Sequence, residues 1–300
     1  MGMTSISTGP AKRTSSTGPA EPAAPGKSSR AVTLRTIHKF VERGEKFACL
    51  TCYDATTARW LQRAGVPVLL VGDTAAEVIL GHASTIHAPL DFLIALTAAV
   101  KRGAPDTMVM ADMPFMSYQA DDVEAIRNAG RFMTEGLADV VKIEADRSFA
   151  PLVEKMARAG VPVVGHIGSL PQQSKRRGGY RSVGRTAAEA RALIADATAL
   201  EAAGAAMLLI EAAPNEVSKR IVEKTTIPVI GCGAGVACHG QIVVLQDLLG
   251  LTDWQPSFAK PITAMGEQLI GAATRWIEMV RASDLGVHPY MMSEGESNKL

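Results

Sequence analysis

A closed parallel α/β barrel of the (β/α)8 type is the fold class this sequence predicts, on three observations. Apolar runs of strand length alternate with helical segments at least seven times along the chain. Five of these runs stop at polar or ionisable residues: Val66 to Asp73 with Thr74 next, Met108 to Asp112, Asp139 to Glu144, Val161 to His166 and Ala206 to Glu211. The repeats fill about 230 residues, more than an open sheet of this kind needs. Runs such as Val66-Pro-Val-Leu-Leu-Val71 read as strands covered by helices on both faces. In parallel α/β folds ligands bind beyond the carboxyl ends of the strands, so polar groups converging at one mouth are the main functional signal.

Residues 1–30 are rich in Ser, Thr, Pro, Gly and Ala and lack apolar periodicity, so a disordered tail is expected. Lys12, Arg13, Lys27 and Arg30, with Glu21 as the single acid, give that tail a faint resemblance to an organelle transit peptide. The catalytic domain is expected over residues 31–285, with residues 286–300 as a second tail. Thr33 to Gly44 reads as an amphipathic helix with Thr33 as cap, and Phe47 to Thr51 as the first strand. Ala55 to Ala64 is helical and closed by Gly65. After the strand ending at Asp73, residues 75–89 form a loop, and Asp91 to Gly103 a helix. Asp121 or Asp122 caps a helix reaching Thr134, and Ser148 to Ala159 is the next.

A long loop then runs from Gly168 to Arg185 with Lys175, Arg176, Arg177, Arg181 and Arg185. Loops of this length are binding lids or solvated insertions. Ala187 to Ala203 and Asn215 to Glu223 are helical and flank the strand ending at Glu211. Ile227 to Ile230 is the seventh strand, followed by the turn Gly231-Cys-Gly233-Ala-Gly235, which lacks dinucleotide-binding spacing and falls late in the chain. Gly240 to Leu249 reads as helix, Ser257 to Ala259 as the poorly marked eighth strand, and residues 261–282 as a terminal helix.

Bulk properties exclude several classes. Net charge is +1, with 31 basic and 30 acidic residues, and no basic block suggests nucleic acid. No apolar run reaches the roughly 18 residues of a membrane span. Cys49-x-x-Cys52 has redox or zinc spacing, but it falls on a strand, where residues three apart face opposite sides. Buried thiols in a reducing cytoplasm are the simpler reading.

Asp73 and Asp112 bring oxygen donors from different strands. Two carboxylates with waters and substrate oxygens suit Mg²⁺, which is rarely held in an all-protein cage. A zinc site would ask for convergent His and Cys, and only His166 is so placed. Glu144 can reach the same ion directly or through water. One strand-end Asp alone is more simply a cap or turn residue; two, with a Lys and a His nearby, favour a metal. Lys142 and Glu144 are two apart and share a face. An inward Lys142 either binds an anionic substrate group or belongs to a buried ion pair. His166 either hydrogen-bonds a substrate oxygen or is a core histidine. Glu211, at the end of an apolar run, would be desolvated, which raises a carboxyl pKa and makes a better base near neutrality. Together these groups suit enolate chemistry, in which a divalent ion chelates a 2-oxo acid and stabilises the enolate left when a base removes the adjacent proton.

The stretches Thr51-Cys-Tyr-Asp54, Leu70-Val-Gly-Asp-Thr74, Gly81-His-Ala-Ser-Thr85, Arg102-Gly-Ala-Pro105 and Ala111-Asp-Met-Pro-Phe-Met-Ser-Tyr118 follow one another in order. Val141-Lys-Ile-Glu144, Gly165-His-Ile-Gly168, Pro171-Gln172, Gly178-Gly-Tyr180, Gly184-Arg185, Gly233-Ala-Gly235, Gly240-Gln241 and Phe258-Ala-Lys260 complete the set. On these motifs, which cover residues 31–290, the chain resembles the ketopantoate (3-methyl-2-oxobutanoate) hydroxymethyltransferase family. The resemblance implies a (β/α)8 TIM barrel of the phosphoenolpyruvate/pyruvate type, assembled as a homo-oligomer, usually a decamer. It implies transfer of a hydroxymethyl group from 5,10-methylenetetrahydrofolate to 3-methyl-2-oxobutanoate with Mg²⁺, in pantothenate synthesis in the cytoplasm. It assigns Asp73 and Asp112 as metal ligands and Glu144 as their support, often through water. Thr74, Lys142 and His166 match substrate-contacting positions, and Glu211 the proton acceptor.

Departures from the family pattern are Thr74 for Ser, Ala145-Asp146 for two glycines, Leu170 for Thr, Ala83 for a polar residue, and Cys232-Gly before Ala234, with no terminal His-Ser-Phe. They are expected to alter the pocket lining, which leaves open a paralogue using another 2-oxo acid or one-carbon donor. A C–C bond lyase or aldolase of the same superfamily is the first rival, although the Lys-x-Cys-Gly-His lid motif such enzymes carry is missing. The second rival is an inactive homologue serving as an assembly or binding partner, against which the intact Asp73, Asp112, Lys142 and Glu211 speak.

Overall fold

Valine, leucine, isoleucine and methionine fill the strands because each strand is covered on both faces. The computed structural model describes residues 31–300, so the expected N-terminal tail lies outside the described residues. Helix α1 (Leu34–Glu42) precedes β1 (Phe47–Thr51), α2 (Ala55–Arg63) and β2 (Val68–Val71). Then come α3 (Ala75–Val78), α4 (Leu90–Gly103), β3 (Met108–Asp112), α5 (Asp122–Thr134), β4 (Val140–Glu144) and α6 (Ala150–Arg158). The second half holds β5 (Val163–Gly168), α7 (Ser174–Arg177), α8 (Ala187–Ala202), β6 (Met207–Glu211), α9 (Asn215–Lys224), β7 (Val229–Cys232), β8 (Gly240–Val243), α10 (Leu245–Leu248) and α11 (Met265–Arg281). The eight strands close in chain order into one parallel barrel, with β8 returning to β1. Among the described residues no helix is long and apolar enough to cross a membrane.

Strand alternation divides the core in two. Met108 and Met110, Val140, Val164, Met207 and Leu209, and Ile230 form an interior cluster. Their neighbours Val109, Ala111, Val141, Ile143, Leu208 and Ile210 pack outward among the helix side chains. Ile37 of α1 joins the interior cluster and closes that end of the barrel. A period of two, carried toward the other end, turns Asp112, Lys142, Glu144, His166 and Glu211 inward above this apolar plug. The same alternation separates Cys49, in the interior cluster, from Cys52, in the outer one, as the spacing on a strand requires. Both thiols are free, and burial pushes Cys52 up to about 11.

Helix starts follow local chemistry. Asp54 Oδ1 accepts from the Thr56 and Thr57 N–H groups at 2.8 Å, and Asp121 Oδ1 from Val123 and Glu124 at 2.9 and 3.0 Å.

Four sequence expectations change. The eighth strand is Gly240–Val243, not residues 257–259, and only Leu245–Leu248 of the expected helix is helical. A glycine is needed where β8 begins, since a Cβ on Gly240 would run into the Phe47 ring of β1. Closure therefore uses a short strand with an exposed Gln241, which carries little strand signal. Residues 75–89 contain α3 and a 3-10 turn rather than plain loop. The long segment after β5 likewise contains a 3-10 turn at Pro171–Gln173 and α7.

Gly168 ends β5 at φ +101°, and a Cβ there would collide with the Glu211 carbonyl oxygen on β6. Gly178 is also left-handed, at φ +75°, but faces open space. Gly168→Ala is therefore expected to cost about 3 kcal/mol or more, against about 1 kcal/mol for Gly178→Ala. Urea denaturation measures both; equal losses would remove the β5–β6 contact as the cause.

Candidate active site

Parallel register brings the inward polar groups side by side. Asp112 of β3 is paired with Lys142 of β4, Glu144 of β4 with His166 of β5, and Gly168 with Glu211 of β6. Asp73 and Thr74 follow β2. All seven residues singled out from the sequence, Asp73, Thr74, Asp112, Lys142, Glu144, His166 and Glu211, line one cavity of about 780 Å³ at the carboxyl ends of the strands. Thr74 stands at the start of α3, but its hydroxyl makes no capping bond there, which leaves it to the cavity.

At the centre Lys142 Nζ lies 2.8 Å from Asp112 Oδ1 and 3.1 Å from His166 Nδ1. The ammonium has only protons to give, so Nδ1 accepts and the remaining imidazole proton sits on Nε2. His166 Nε2 stands 3.4 Å from Glu211 Oε2 without an aligned hydrogen bond. Asp112 Oδ2 accepts from the Asp73 N–H at 3.1 Å, which seats the two carboxylate residues against each other. Asp73 Oδ2 accepts from Gln172 Nε2 at 2.9 Å, and Glu144 Oε1 from the Gln172 N–H at 2.9 Å.

Four acids and one ammonium share this buried space, and the protonation equilibria show the strain. Burial and then the Asp112 carboxylate push Asp73 up to about 7, against the pull of Lys142 and Gln172. Burial pushes Glu211 up to about 7, also against Lys142. Burial and the Asp73 carboxylate hold Glu144 well above the usual range. For Lys142 burial opposes the charge, but the carboxylates of Asp112 and Asp73 outweigh it and raise the ammonium's pKa. Burial and the Lys142 charge hold His166 well below the ordinary imidazole range, so it is neutral.

The donor set fits a hard divalent cation. Glu144 Oε2 is buried without a partner, and Asp112 Oδ1 is poorly aligned for a hydrogen bond to the nearby Lys142. A cation between Asp73 and Asp112 would relieve the repulsion that raises Asp73. Among the described residues no three His, Cys, Asp or Glu side chains form a cage. Mg²⁺ is rarely held in such an all-protein cage, and Glu144 stands beside Asp73 and Asp112 in the same cavity.

Two residues of the site carried no chemical signal in the sequence. Gln172 and Tyr118 come from loops, where no periodicity marks an inward side chain, yet both are buried and join the carboxylates. The departures expected to alter the pocket mostly miss it. Ala145 packs in the outer cluster, and Asp146 caps a 3-10 turn through the Ser148 N–H at 2.8 Å. Ala83 is exposed and Leu170 is buried, and neither lines the cavity. Only Thr74 and the Cys232–Gly233 step reach it.

Comparison with known proteins places these residues in context. The profile of the ketopantoate hydroxymethyltransferase family matches residues 31–286. A 3-methyl-2-oxobutanoate hydroxymethyltransferase of Thermobifida fusca (strain YX) is 45% identical over 257 residues, covering 86% of this chain and 92% of the relative. The barrel is similar to 2,3-dimethylmalate lyase, a member of the PEP mutase/isocitrate lyase superfamily (TM-score 0.55, 16% identity, 89% of this chain and 93% of that one). It is also similar to phosphonopyruvate hydrolase in complex with oxalate and Mg²⁺ (TM-score 0.55, 12% identity, 89% and 94%). At such identity these two show the barrel architecture alone.

Lys142→Met strands buried carboxylates without their cation and is expected to destabilise the metal-free protein by about 3–5 kcal/mol at neutral pH. The sign follows from the raised values. Acids whose folded pKa lies above the unfolded value, about 4, contribute stability below that value and lose it as pH rises through the folded one. Loss of the ammonium lifts Asp73 and Glu211 beyond about 7. The variant's deficit in urea denaturation should therefore be larger at about pH 8 than at about pH 5. A deficit independent of pH would contradict the charge assignment.

Proposed function

The chain belongs to the ketopantoate hydroxymethyltransferase family, and from that premise we propose that it transfers a hydroxymethyl group from 5,10-methylenetetrahydrofolate to 3-methyl-2-oxobutanoate. The product is 2-dehydropantoate, in pantothenate and coenzyme A biosynthesis. The observation that carries the reading is the gathering of Asp73, Asp112, Lys142, His166 and Glu211 in one cavity, within a chain that matches the family over nearly the whole barrel.

Asp73 and Asp112 would hold Mg²⁺, with Glu144 supporting it through water. That ion, when bound, supplies Lewis-acid polarisation of the keto group. Lys142 offers a buried positive charge to the substrate's carboxylate or keto oxygen. Neutral His166, its tautomer fixed by Lys142, presents the Nε2 proton to an oxygen of the substrate or to Glu211. Glu211 takes the proton from C3 of the 2-oxo acid; with its pKa near 7 it is matched to that task at neutral pH. The carbon nucleophile so formed bonds to the folate methylene carbon; both C–N bonds of that carbon break, water supplies the hydroxyl oxygen, and tetrahydrofolate leaves carrying the C3 proton and one proton from the water. Thr74 contributes a hydroxyl at the cavity wall. Asp73 and Asp112 alone would leave a hard cation short of oxygen donors, a need that a 2-oxo acid would suit.

Most departures from the family pattern lie off the cavity wall, with Thr74 and the Cys232–Gly233 step the exceptions, which favours the family's own substrate. The cytoplasm remains the expected compartment. Assembly as a homo-oligomer, a decamer by family resemblance, agrees with α11, which buries none of its residues and exposes Leu269, Ile270, Trp276 and Ile277.

Product analysis with 3-methyl-2-oxobutanoate and 5,10-methylenetetrahydrofolate tests the reading, with 2-dehydropantoate expected; cleavage of a C4-type acid without folate would overturn it. Glu211→Gln should retain substrate binding yet lose C3 deuterium exchange, and unchanged exchange would remove Glu211 as base. In the native protein kcat/KM should rise as pH passes upward through about 7, because a carboxyl with a raised pKa must lose its proton before it can act as base. A profile flat from about pH 5 to 8 would contradict that assignment.

A further inference from the structure

Gln172 opens the long segment after β5 and turns back into the barrel, where it is 4% exposed. Its side-chain carbonyl accepts from the Tyr118 hydroxyl at 2.8 Å and from Gln119 Nε2 at 3.0 Å. Its Nε2 donates to Asp73 Oδ2 at 2.9 Å and to the Met113 carbonyl at 3.0 Å. Its backbone N–H donates to Glu144 Oε1 at 2.9 Å. Two donors on one side and two acceptors on the other leave the amide a single orientation, and no carboxylate or hydrocarbon of that length satisfies all four. Tyr118 in turn accepts from the Glu144 N–H at 3.0 Å, so the contacts close into a ring.

This ring organises the acids. Asp73 and Glu144 each have one oxygen held by Gln172, and Asp112 has one held by the Asp73 N–H. The other Glu144 oxygen is buried and unpartnered, and the other Asp112 oxygen lacks an aligned hydrogen bond. Pinning one oxygen of a carboxylate with a neutral donor fixes its rotamer and directs the remaining oxygen, and it does so before any cation arrives. A single residue therefore connects the root of the loop whose Tyr180 and Arg181 line the cavity with two of the three acids.

We propose that Gln172 is a positioning residue for the divalent-cation site: it holds Asp73 and Glu144 in their metal-ready arrangement and is itself held by Tyr118. The proposal rests on the reading of Asp73 and Asp112 as the metal pair. Such supporting contacts set metal affinity by roughly 10- to 100-fold.

The test is calorimetric titration of Mg²⁺ alone into the purified full-length protein, for native, Gln172→Met and Tyr118→Phe. Gln172→Met keeps the side chain's size and removes its polar atoms, and Mg²⁺ should bind roughly 10- to 100-fold more weakly. Tyr118→Phe should shift affinity in the same direction by a smaller factor. In Gln172→Met, kcat should recover toward native at saturating Mg²⁺ while the Mg²⁺ concentration for half activity rises; a purely structural defect would not be restored by the ion. Native-like folding is checked by circular dichroism and thermal melting. If both variants fold and bind Mg²⁺ within about twofold of native, Gln172 has no such role. If Gln172→Met does not fold, Tyr118→Phe decides alone, by the same twofold criterion. A native protein that binds no Mg²⁺, alone or with the 2-oxo acid, overturns the metal reading itself and this inference with it.

Discussion

One ammonium inside the barrel sets the terms for everything around it. Lys142 Nζ, 2.8 Å from Asp112 and 3.1 Å from His166, is the positive centre among the acids that line the cavity. Removing a carboxylate from water costs several kcal/mol even after relaxation, so a group of them survives only with compensation. Lys142 supplies part, and the raised values of Asp73, Glu144 and Glu211 show how much remains. A buried barrel mouth with more acids than cations suits a positive ion. The same mouth, with that ion bound, would suit an anionic substrate.

The barrel enforces this placement by simple geometry. A period of two puts Met108, Met110 and Asp112 on one face, and does the same for Val140, Lys142 and Glu144 and for Met207, Leu209 and Glu211. The lower positions fill the interior with hydrocarbon, which fixes strand register, because a slip of one residue would turn the whole set outward. Stability and function thus draw on the same alternation. At the upper rim the apolar filling stops and the polar ends take its place. Gly168 permits the close β5–β6 approach that seats Glu211 beside His166.

What the sequence discloses and what it conceals follow from the same physics. The strands carrying Asp112, Glu144, His166 and Glu211 are legible because continuous apolar runs are broken by single ionisable residues, and each of those residues lines the cavity. The β8 strand was not legible. Gly240-Gln-Ile-Val243 is short, begins with a glycine demanded by Phe47, and runs directly toward α10, so its apolar residues read as part of a helix. Gln172 and Tyr118 were legible as motif residues without a chemical role, because a loop side chain turns inward for reasons of tertiary contact that no local pattern records. Ala145 and Leu170 are expected in the pocket lining only because they depart from the family pattern. Strand alternation places Ala145 on the opposite face, and Leu170 is buried off the cavity wall.

The central claim is that acids from β2 and β3 share one divalent cation at the mouth of the barrel. Anomalous diffraction from crystals grown with Mn²⁺ and 3-methyl-2-oxobutanoate tests it most directly. The account predicts a single strong peak about 2.1 Å from one oxygen each of Asp73 and Asp112, with the two substrate oxygens and water completing six-fold coordination. A peak elsewhere, or carboxylates at positions 73 and 112 that still face each other with no metal between them, would contradict it.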